Sequence, residues 1–377
     1  MTIVILKMGS MGAFASISDA ACWGRASLIA LLLALLAGPG LAAASPQGPA
    51  HAVVLMYHHV GEGGQPSTRV TTDQFTAHLE QIEAEGYTVV PLADVVAALA
   101  GGPALPDKAV AITFDDGYRS VGEIAHPLLA ERDWPYTVFV NTAPVDDGYG
   151  QYLEWPQMRA MAQAGATFAN HSTSHAPLFV REDDEDQAAW AQRIREDLDH
   201  AQRRLVDALG EAALTDPPLL AYPYGEYDRD LMRLVDEMGY IAFGQQSGAI
   251  GETSRRQALP RFSLNERYGE AEAFALRLNT RALPVAEQSP VSPVRESADP
   301  PQLTITLAED DLSTERLGCF YGSERMSVEW REPGRQFAVQ GEAPLPVGRS
   351  RYNCTLPNGE GGYYWFSQLW VHAEAGT

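Results

Sequence analysis

Thr113-Phe114-Asp115-Asp116-Gly117 closes an apolar run, Ala109-Val110-Ala111-Ile112, that reads as a buried strand. Two carboxylates stand side by side where that strand ends. In parallel α/β folds, ligand and catalytic sites collect at this end of the strands. Adjacent like charges at the mouth of an apolar strand repel each other. A bound cation is the most direct way to stabilise them.

Strand-like runs at 52–57, 87–90, 136–140, 167–169, 219–222 and 241–243 surround this one in the sequence. They alternate with helical patterns at 92–99, 121–131, 155–164, 185–209, 229–238 and 270–281. A further helix carries Phe75, Leu79 and Ile82, with Thr72 or Asp73 as its cap and Gly86 at its end. Repeated β-then-α units imply parallel strands wrapped by helices. About seven of them predict a barrel rather than a small open sheet. The expected fold class is therefore α/β, over residues 45–283. From Pro284 the chain turns to Pro, Ser and Glu, which reads as a linker over 284–302. Alternating runs at 303–307, 327–330, 336–339, 363–366 and 369–371 then predict a small all-β module over 303–377.

The chain of 377 residues is acidic, with 49 Asp and Glu against 27 Lys and Arg and a net charge of -22. No basic surplus is left to neutralise phosphates, so nucleic acid is excluded as a partner. A cationic polymer would be attracted to such a surface, and solubility explains the charge equally well. Residues 1–44 carry Lys7 and Arg25, a short apolar core at 27–36, a Gly38-Pro39-Gly40 break and small residues at 41–45. This is the pattern of a secretory signal peptide, with an uncleaved anchor as the alternative. Export to the periplasm or the medium follows, with the membrane involved only as the site of export. Cys22 leaves with the leader. Cys319 and Cys354 remain, an even pair in an oxidising compartment, and a disulfide between them is expected, with two buried thiols as the alternative.

Asp115 and Asp116 need partners. His171 and His175, in Asn170-His171-Ser172-Thr173-Ser174-His175, follow the strand at 167–169. One helical turn would place both imidazoles on one side. Imidazole and carboxylate together suit Zn²⁺ with an open position for water. A third segment, Ala221-Tyr222-Pro223-Tyr224-Gly225, also stands at a strand end, where a rigid turn can aim a backbone N–H; a tight turn packed by aromatic residues is the alternative.

With these motifs in this order, the chain resembles the polysaccharide deacetylases with a NodB-homology domain, carbohydrate esterase family 4, over about 51–281. The resemblance implies a distorted (β/α) barrel of the NodB-homology type and one divalent metal, usually zinc. It makes Asp115 the general base and Asp116, His171 and His175 the metal ligands. The Tyr224 backbone N–H would form the oxyanion hole. Two departures stand out. The Arg usual two residues before the Pro-Tyr-Gly turn is Ala221 here, and the only histidine after Tyr224 is His372, in the β module. The acid must then come from earlier in the chain. Tyr57-His58-His59-Val60, at the end of the first strand, is similar to the pattern of the poly-β-1,6-N-acetylglucosamine deacetylases. That similarity implies His58 as the acid, with His59 pointing the other way. Arg261, just after Pro260, is expected to border the cleft.

The expected activity is removal of N-acetyl groups from a β-linked N-acetylglucosamine polysaccharide. An O-acetyl esterase acting on another glycan such as xylan is the first alternative. A non-catalytic glycan-binding protein is the second, with Tyr363, Tyr364, Trp365, Phe366 and Trp370 as the binding aromatics, and a β module that only stabilises the barrel or contacts a partner is the third. Trp155, Tyr118 and Tyr149 are candidates for stacking on sugar rings, with core or rim packing as the alternative.

Overall fold

The computed structural model describes residues 51–309 and 312–372. The leader expected at 1–44, with Cys22, lies outside them. Seven strands form the barrel: β1 His51–Tyr57, β2 Ala109–Phe114, β3 Tyr136–Val140, β4 Ala166–Asn170, β5 Leu219–Ala221, β6 Ile241–Phe243 and β7 Phe262–Ser263. Neighbours from β1 to β6 pair in parallel, and β1 and β2 are in register from Val53 opposite Val110 to Tyr57 opposite Phe114. The ring closes through residues 259–263. Leu259 bridges to Phe243 of β6, and Phe262 in β7 pairs with Leu55 of β1.

β1 and β2 are buried on both faces, which is why they read as unbroken apolar runs. Alternate residues divide between two cores. Val53, Leu55, Tyr57, Val110, Ile112 and Phe114 pack outward with Phe75, Leu79 and Ile82 of the helix Thr72–Ala84. Ala52, Val54, Ala109, Ala111, Ala169 and Ala221 are small and share the inner cluster with Phe139, Phe243 and Leu259. That helix is capped by Thr71, one residue before the expected cap. Thr71 Oγ1 accepts from the Gln74 N–H, and Gln74 Oε1 accepts from the Thr71 N–H, both at 3.1 Å.

The C-terminal part is two sheets around one apolar core. One joins Tyr363–His372, Gly348–Pro357, Gly318–Tyr321 and Glu324–Met326, and the other joins Val285–Ser289, Gln302–Leu307, Gln336–Gln340 and Glu329–Glu332. Leu303, Ile305, Phe337 and Val339 from the second sheet meet Cys319, Tyr352, Leu356 and Trp370 from the first. Cys319 and Cys354 stand opposite each other on neighbouring strands and are bonded.

Two stretches differ from their sequence reading. The segment expected as a linker at 284–302 contains the strand Val285–Ser289, paired with Gln302–Leu307, and the strand Val294–Arg295, paired with Tyr363–His372. Val285–Ser289 is a sheet edge with little burial, so its residues are polar and resemble a linker. The last barrel helix stops at Leu278, and Thr280–Ala282 becomes a strand alongside Tyr363–His372. The segment that follows the last barrel helix is therefore a strand of the sandwich.

Candidate active site and metal centre

Asp115 follows β2 on the face that fills the barrel, in line with Ala109, Ala111 and Thr113. It is fully buried. The Arg261 guanidinium meets it with two parallel bonds: Nη1 donates to Oδ1 and Nη2 to Oδ2, each at 2.7 Å. Arg261 is also fully buried. Its Nε donates to the Gly244 carbonyl at 3.1 Å and its Nη1 to Thr113 Oγ1 at 3.2 Å. Burial pushes the Asp115 carboxyl up, and the charge and hydrogen bonds of Arg261 outweigh it, holding the group below the usual carboxylate range. Arg261 does more than border a cleft. It stands on the closing segment, where a buried guanidinium within Leu259-Pro260-Arg261-Phe262 requires an anion. That requirement was the available sequence signal; the partner, 146 residues away, was not legible.

Asp116 turns away from Asp115 through a left-handed backbone, with φ 73°. Its Oδ1 lies 3.3 Å from His171 Nε2 and 3.2 Å from His175 Nε2. One donor atom from each of the three residues falls within 4.8 Å of the others. His171 Nδ1 donates to the Ala221 carbonyl at 2.7 Å, which leaves Nε2 as the ring nitrogen that faces Asp116. That Nε2 is buried and, despite its nearness to Asp116, is not aligned for a hydrogen bond. A buried, unpartnered imidazole nitrogen facing a carboxylate and a second imidazole is what a divalent cation fits. Burial pushes the His171 ring down and the Asp116 carboxyl up; with no cation between them, the two aspartates still raise His171, and the charged ring in turn outweighs burial and holds the Asp116 carboxyl far below the usual range. Burial, with His171 next to it, pushes His175 down to about 4, so its ring is neutral and ready to ligate near pH 7.

The histidine segment is not the expected helical turn. It is a loop in which Ser172 and His175 take φ of 67° and 63°. Asn170 Oδ1 accepts from the Ser172 N–H at 2.8 Å, Asp197 Oδ1 from the Thr173 N–H at 2.9 Å, and Ser172 Oγ from the His175 N–H at 3.0 Å. Asn170 and Asp197 were missed by sequence reasoning, since a carboxylate on a long charged helix carries no local mark. Of the six described non-glycine residues with positive φ, four (Asp116, Ser172, His175 and Tyr224) belong to this site. Backbone strain of this kind persists only where the surroundings hold it in place.

His58 continues the inward face of β1 and is 9 % exposed, with Nδ1 buried and without a hydrogen-bond partner in the protein. Its proximity helps hold both Asp115 and Asp116 down. His59 points away and stacks on Tyr118, ring centres 3.6 Å apart. Tyr224 takes φ 59° and ψ 1° in the turn Pro223–Gly225, its ring edge-on to His175 at 4.4 Å. Gly225, at φ 70°, has no room for a side chain, since a Cβ there would meet Gln245 Cβ at 2.5 Å. Of the proposed sugar-stacking residues, Tyr118 lies between His59 and Tyr152. Trp155 is held by Asp146 and covered by Arg204, and Tyr149 is exposed. In the sandwich, Trp370 is fully buried, Trp365 packs edge-on against Phe262 of the barrel, and Tyr364 and Phe366 lie against the sandwich core. Of the five, only Trp370 is fully buried; Tyr363, Tyr364, Trp365 and Phe366 are half-buried.

Residues 102–243 match the polysaccharide deacetylase family. A Bacillus subtilis (strain 168) protein named as a polysaccharide deacetylase, YxkH, is 26% identical over 216 residues, covering 56% of this chain and 71% of that protein. The poly-beta-1,6-N-acetyl-D-glucosamine N-deacetylase of Escherichia coli (strain K12) is 25% identical over 242 residues, covering 55% of this chain and 36% of the relative, so the chain spans just over a third of that protein's length. The structure of the Streptococcus pyogenes deacetylase PplD in complex with acetate superposes with a TM-score of 0.51 at 22% identity, covering 60% of this chain and 99% of that one. That likeness bears on the fold, and it agrees with the distorted (β/α) barrel. The matched family stretch contains Asp115, Asp116, His171, His175 and Tyr224 and leaves out His58 and Arg261. It is residues 102–243 of this chain that correspond to a polysaccharide deacetylase domain.

Proposed function

We propose that this chain is an exported, metal-dependent N-deacetylase acting on a β-linked N-acetylglucosamine polymer. One observation carries the reading: a carboxylate kept charged by Arg261 stands next to a three-ligand cluster that fits a divalent cation. The substrate class is supported by the activity named for the Escherichia coli relative. Export is supported by the leader pattern and by the Cys319–Cys354 bond.

Asp116, His171 and His175 would hold the cation, with zinc the best match to two imidazoles and one carboxylate. When bound, it supplies a Lewis acid for the acetyl carbonyl and acidifies water. Asp115 accepts the proton of the attacking water at a carboxylate oxygen. Each oxygen already accepts one bond from Arg261 and has a lone pair left. The Tyr224 backbone N–H donates to the oxyanion as the carbonyl becomes tetrahedral. His58 gives its proton to the departing sugar nitrogen. Its Nδ1 has no hydrogen-bond partner in the protein, so no other side chain ties the ring.

Acetate release tests this reading. The protein is stripped with a chelator and assayed on poly-β-1,6-N-acetylglucosamine oligomers, chitin oligomers and acetylated xylan, before and after zinc is restored. The reading predicts zinc-dependent release from an N-acetyl substrate. Release from acetylated xylan alone would make the chain an O-acetyl esterase. No release from any of them would favour a glycan-binding protein.

A further inference from the structure

We propose that the C-terminal sandwich is part of the active site, because Arg349, a positioning residue on its strand Gly348–Pro357, fixes the turn that carries Tyr224. The inference rests on the oxyanion role given to the Tyr224 N–H above.

Tyr224 sits in the left-handed region, with φ 59°, which a bulky side chain rarely adopts. The residue is 39 % exposed, so burial does not hold it there. Arg349 does. Arg349 Nη1 donates to the Tyr224 carbonyl at 2.5 Å and to Gln245 Oε1 at 3.3 Å. Its Nε lies 3.6 Å from Glu226 Oε1, and its guanidinium centre is 5.9 Å from the centre of the Tyr224 ring. Gln245 backs the turn from the barrel side, against Gly225.

Two residues on, and therefore on the same face of the strand, Arg351 Nη1 donates to Ser247 Oγ at 3.0 Å and reaches the Gln245 carbonyl at 3.5 Å. One strand of the sandwich thus grips both loops that leave β5 and β6. The strand is itself fixed. It pairs along its whole length with Tyr363–His372, which lies parallel to Thr280–Ala282 and sends Trp365 against Phe262.

The carbonyl and the N–H of Tyr224 are joined through the φ and ψ of one residue. A guanidinium that holds the carbonyl therefore aims the N–H. Without it, Tyr224 relaxes toward the right-handed region and its N–H swings away from the reacting oxygen. The substrate still binds, so the loss falls on turnover rather than on KM.

The test compares Arg349→Ala and Arg349→Lys with the wild type by steady-state kinetics, with melting temperature and metal content on the same preparations and a crystal structure of each variant. Arg349→Ala is expected to lower kcat about tenfold with KM unchanged. Metal content stays at the wild-type level, and Tyr224 is found outside the left-handed region. Arg349→Lys keeps one donor, recovers part of kcat, and also serves if the alanine variant folds poorly. An unchanged kcat, or a Tyr224 that keeps its conformation in the alanine variant, would overturn the proposal. So would a rise in KM alone, which would make Arg349 a substrate contact. If the wild type released no acetate at all, the functional reading would fall, while the conformation of Tyr224 in the variant structures would still decide this inference.

Discussion

The mouth of the barrel and the core of the sandwich are built on opposite terms. At the mouth, Asp115, Asp116, His171, Asn170 and Arg261 are all buried. In the sandwich, the interior is Leu303, Ile305, Phe337, Val339, Tyr352 and Trp370, locked by a disulfide. Burying charge is costly unless every group is paired, and a buried ion pair is weak evidence for stability. Burying apolar surface stabilises by about 25 cal/mol per Å². The mouth of the barrel therefore costs stability to hold a reactive constellation in place, while apolar interiors such as that of the sandwich supply it. The two meet where Arg349 reaches the Tyr224 carbonyl.

The largest effect that can break this contrast comes from Arg261. Arg261→Met leaves Asp115 buried without its partner, a loss of roughly 3–5 kcal/mol in stability. The same change removes the group that holds the Asp115 carboxyl down, so burial raises it and the base ionises only at higher pH. Turnover at neutral pH is expected to fall by roughly a hundredfold or more, with the acidic limb of the pH–rate profile displaced upward. Arg261→Lys keeps a charge and loses the two-pronged geometry, so it lies between. A profile that does not move in either variant would show that Arg261 is structural only.

The sandwich should respond the other way. The double substitution Cys319→Ser with Cys354→Ser removes a cross-link and is expected to cost about 2–4 kcal/mol. Melting falls, while kcat measured well below the transition stays near wild type, since neither sulfur touches the site. A kcat that drops as steeply as the melting temperature would mean that the sandwich is not a separate source of stability.

The smallest expected effect concerns His78, on the barrel's outer face. It is 1 % exposed; its Nε2 donates to the Gly269 carbonyl at 2.7 Å, and its Nδ1 accepts from the Tyr57 hydroxyl at 3.1 Å. Burial pushes it from 6.5 down to about 4. The unfolded chain therefore takes up a proton first as pH falls. The stability this neutral ring supports is intact above 6.5 and is lost progressively toward 4. Melting of the wild type should decline between pH 7 and pH 5, and His78→Gln should decline less. Equal declines would assign the pH dependence to other groups.

What the sequence made legible follows from where its chemistry sits. Asp115, Asp116, His171, His175 and Tyr224 each follow an apolar run, so strand ends and site residues could be read together, and the structure places them at one mouth. His58 comes from the resemblance of Tyr57-His58-His59-Val60 to a family pattern, and the period of two along β1 sets His59 on the other side. Contacts between distant segments were not legible. Arg261 reads as a cleft residue until the closing segment brings it to Asp115. The 171–175 loop reads as helical because a four-residue spacing does not show that Asn170 and Asp197 hold it as a bend. The strand Val285–Ser289 reads as linker because sheet edges are polar. The aromatics of 363–370 read alike because sequence does not show which side of a strand is covered, and only Trp370 is fully buried.

The most direct test of the central claim sets Asp115→Asn beside Asp116→Ala, with zinc content and acetate release measured on the same preparations. The account predicts that Asp115→Asn keeps its zinc and loses turnover by roughly a thousandfold or more, whereas Asp116→Ala loses both. An Asp115→Asn protein that releases acetate at the wild-type rate, or an Asp116→Ala protein that holds zinc as tightly as the wild type, would contradict it.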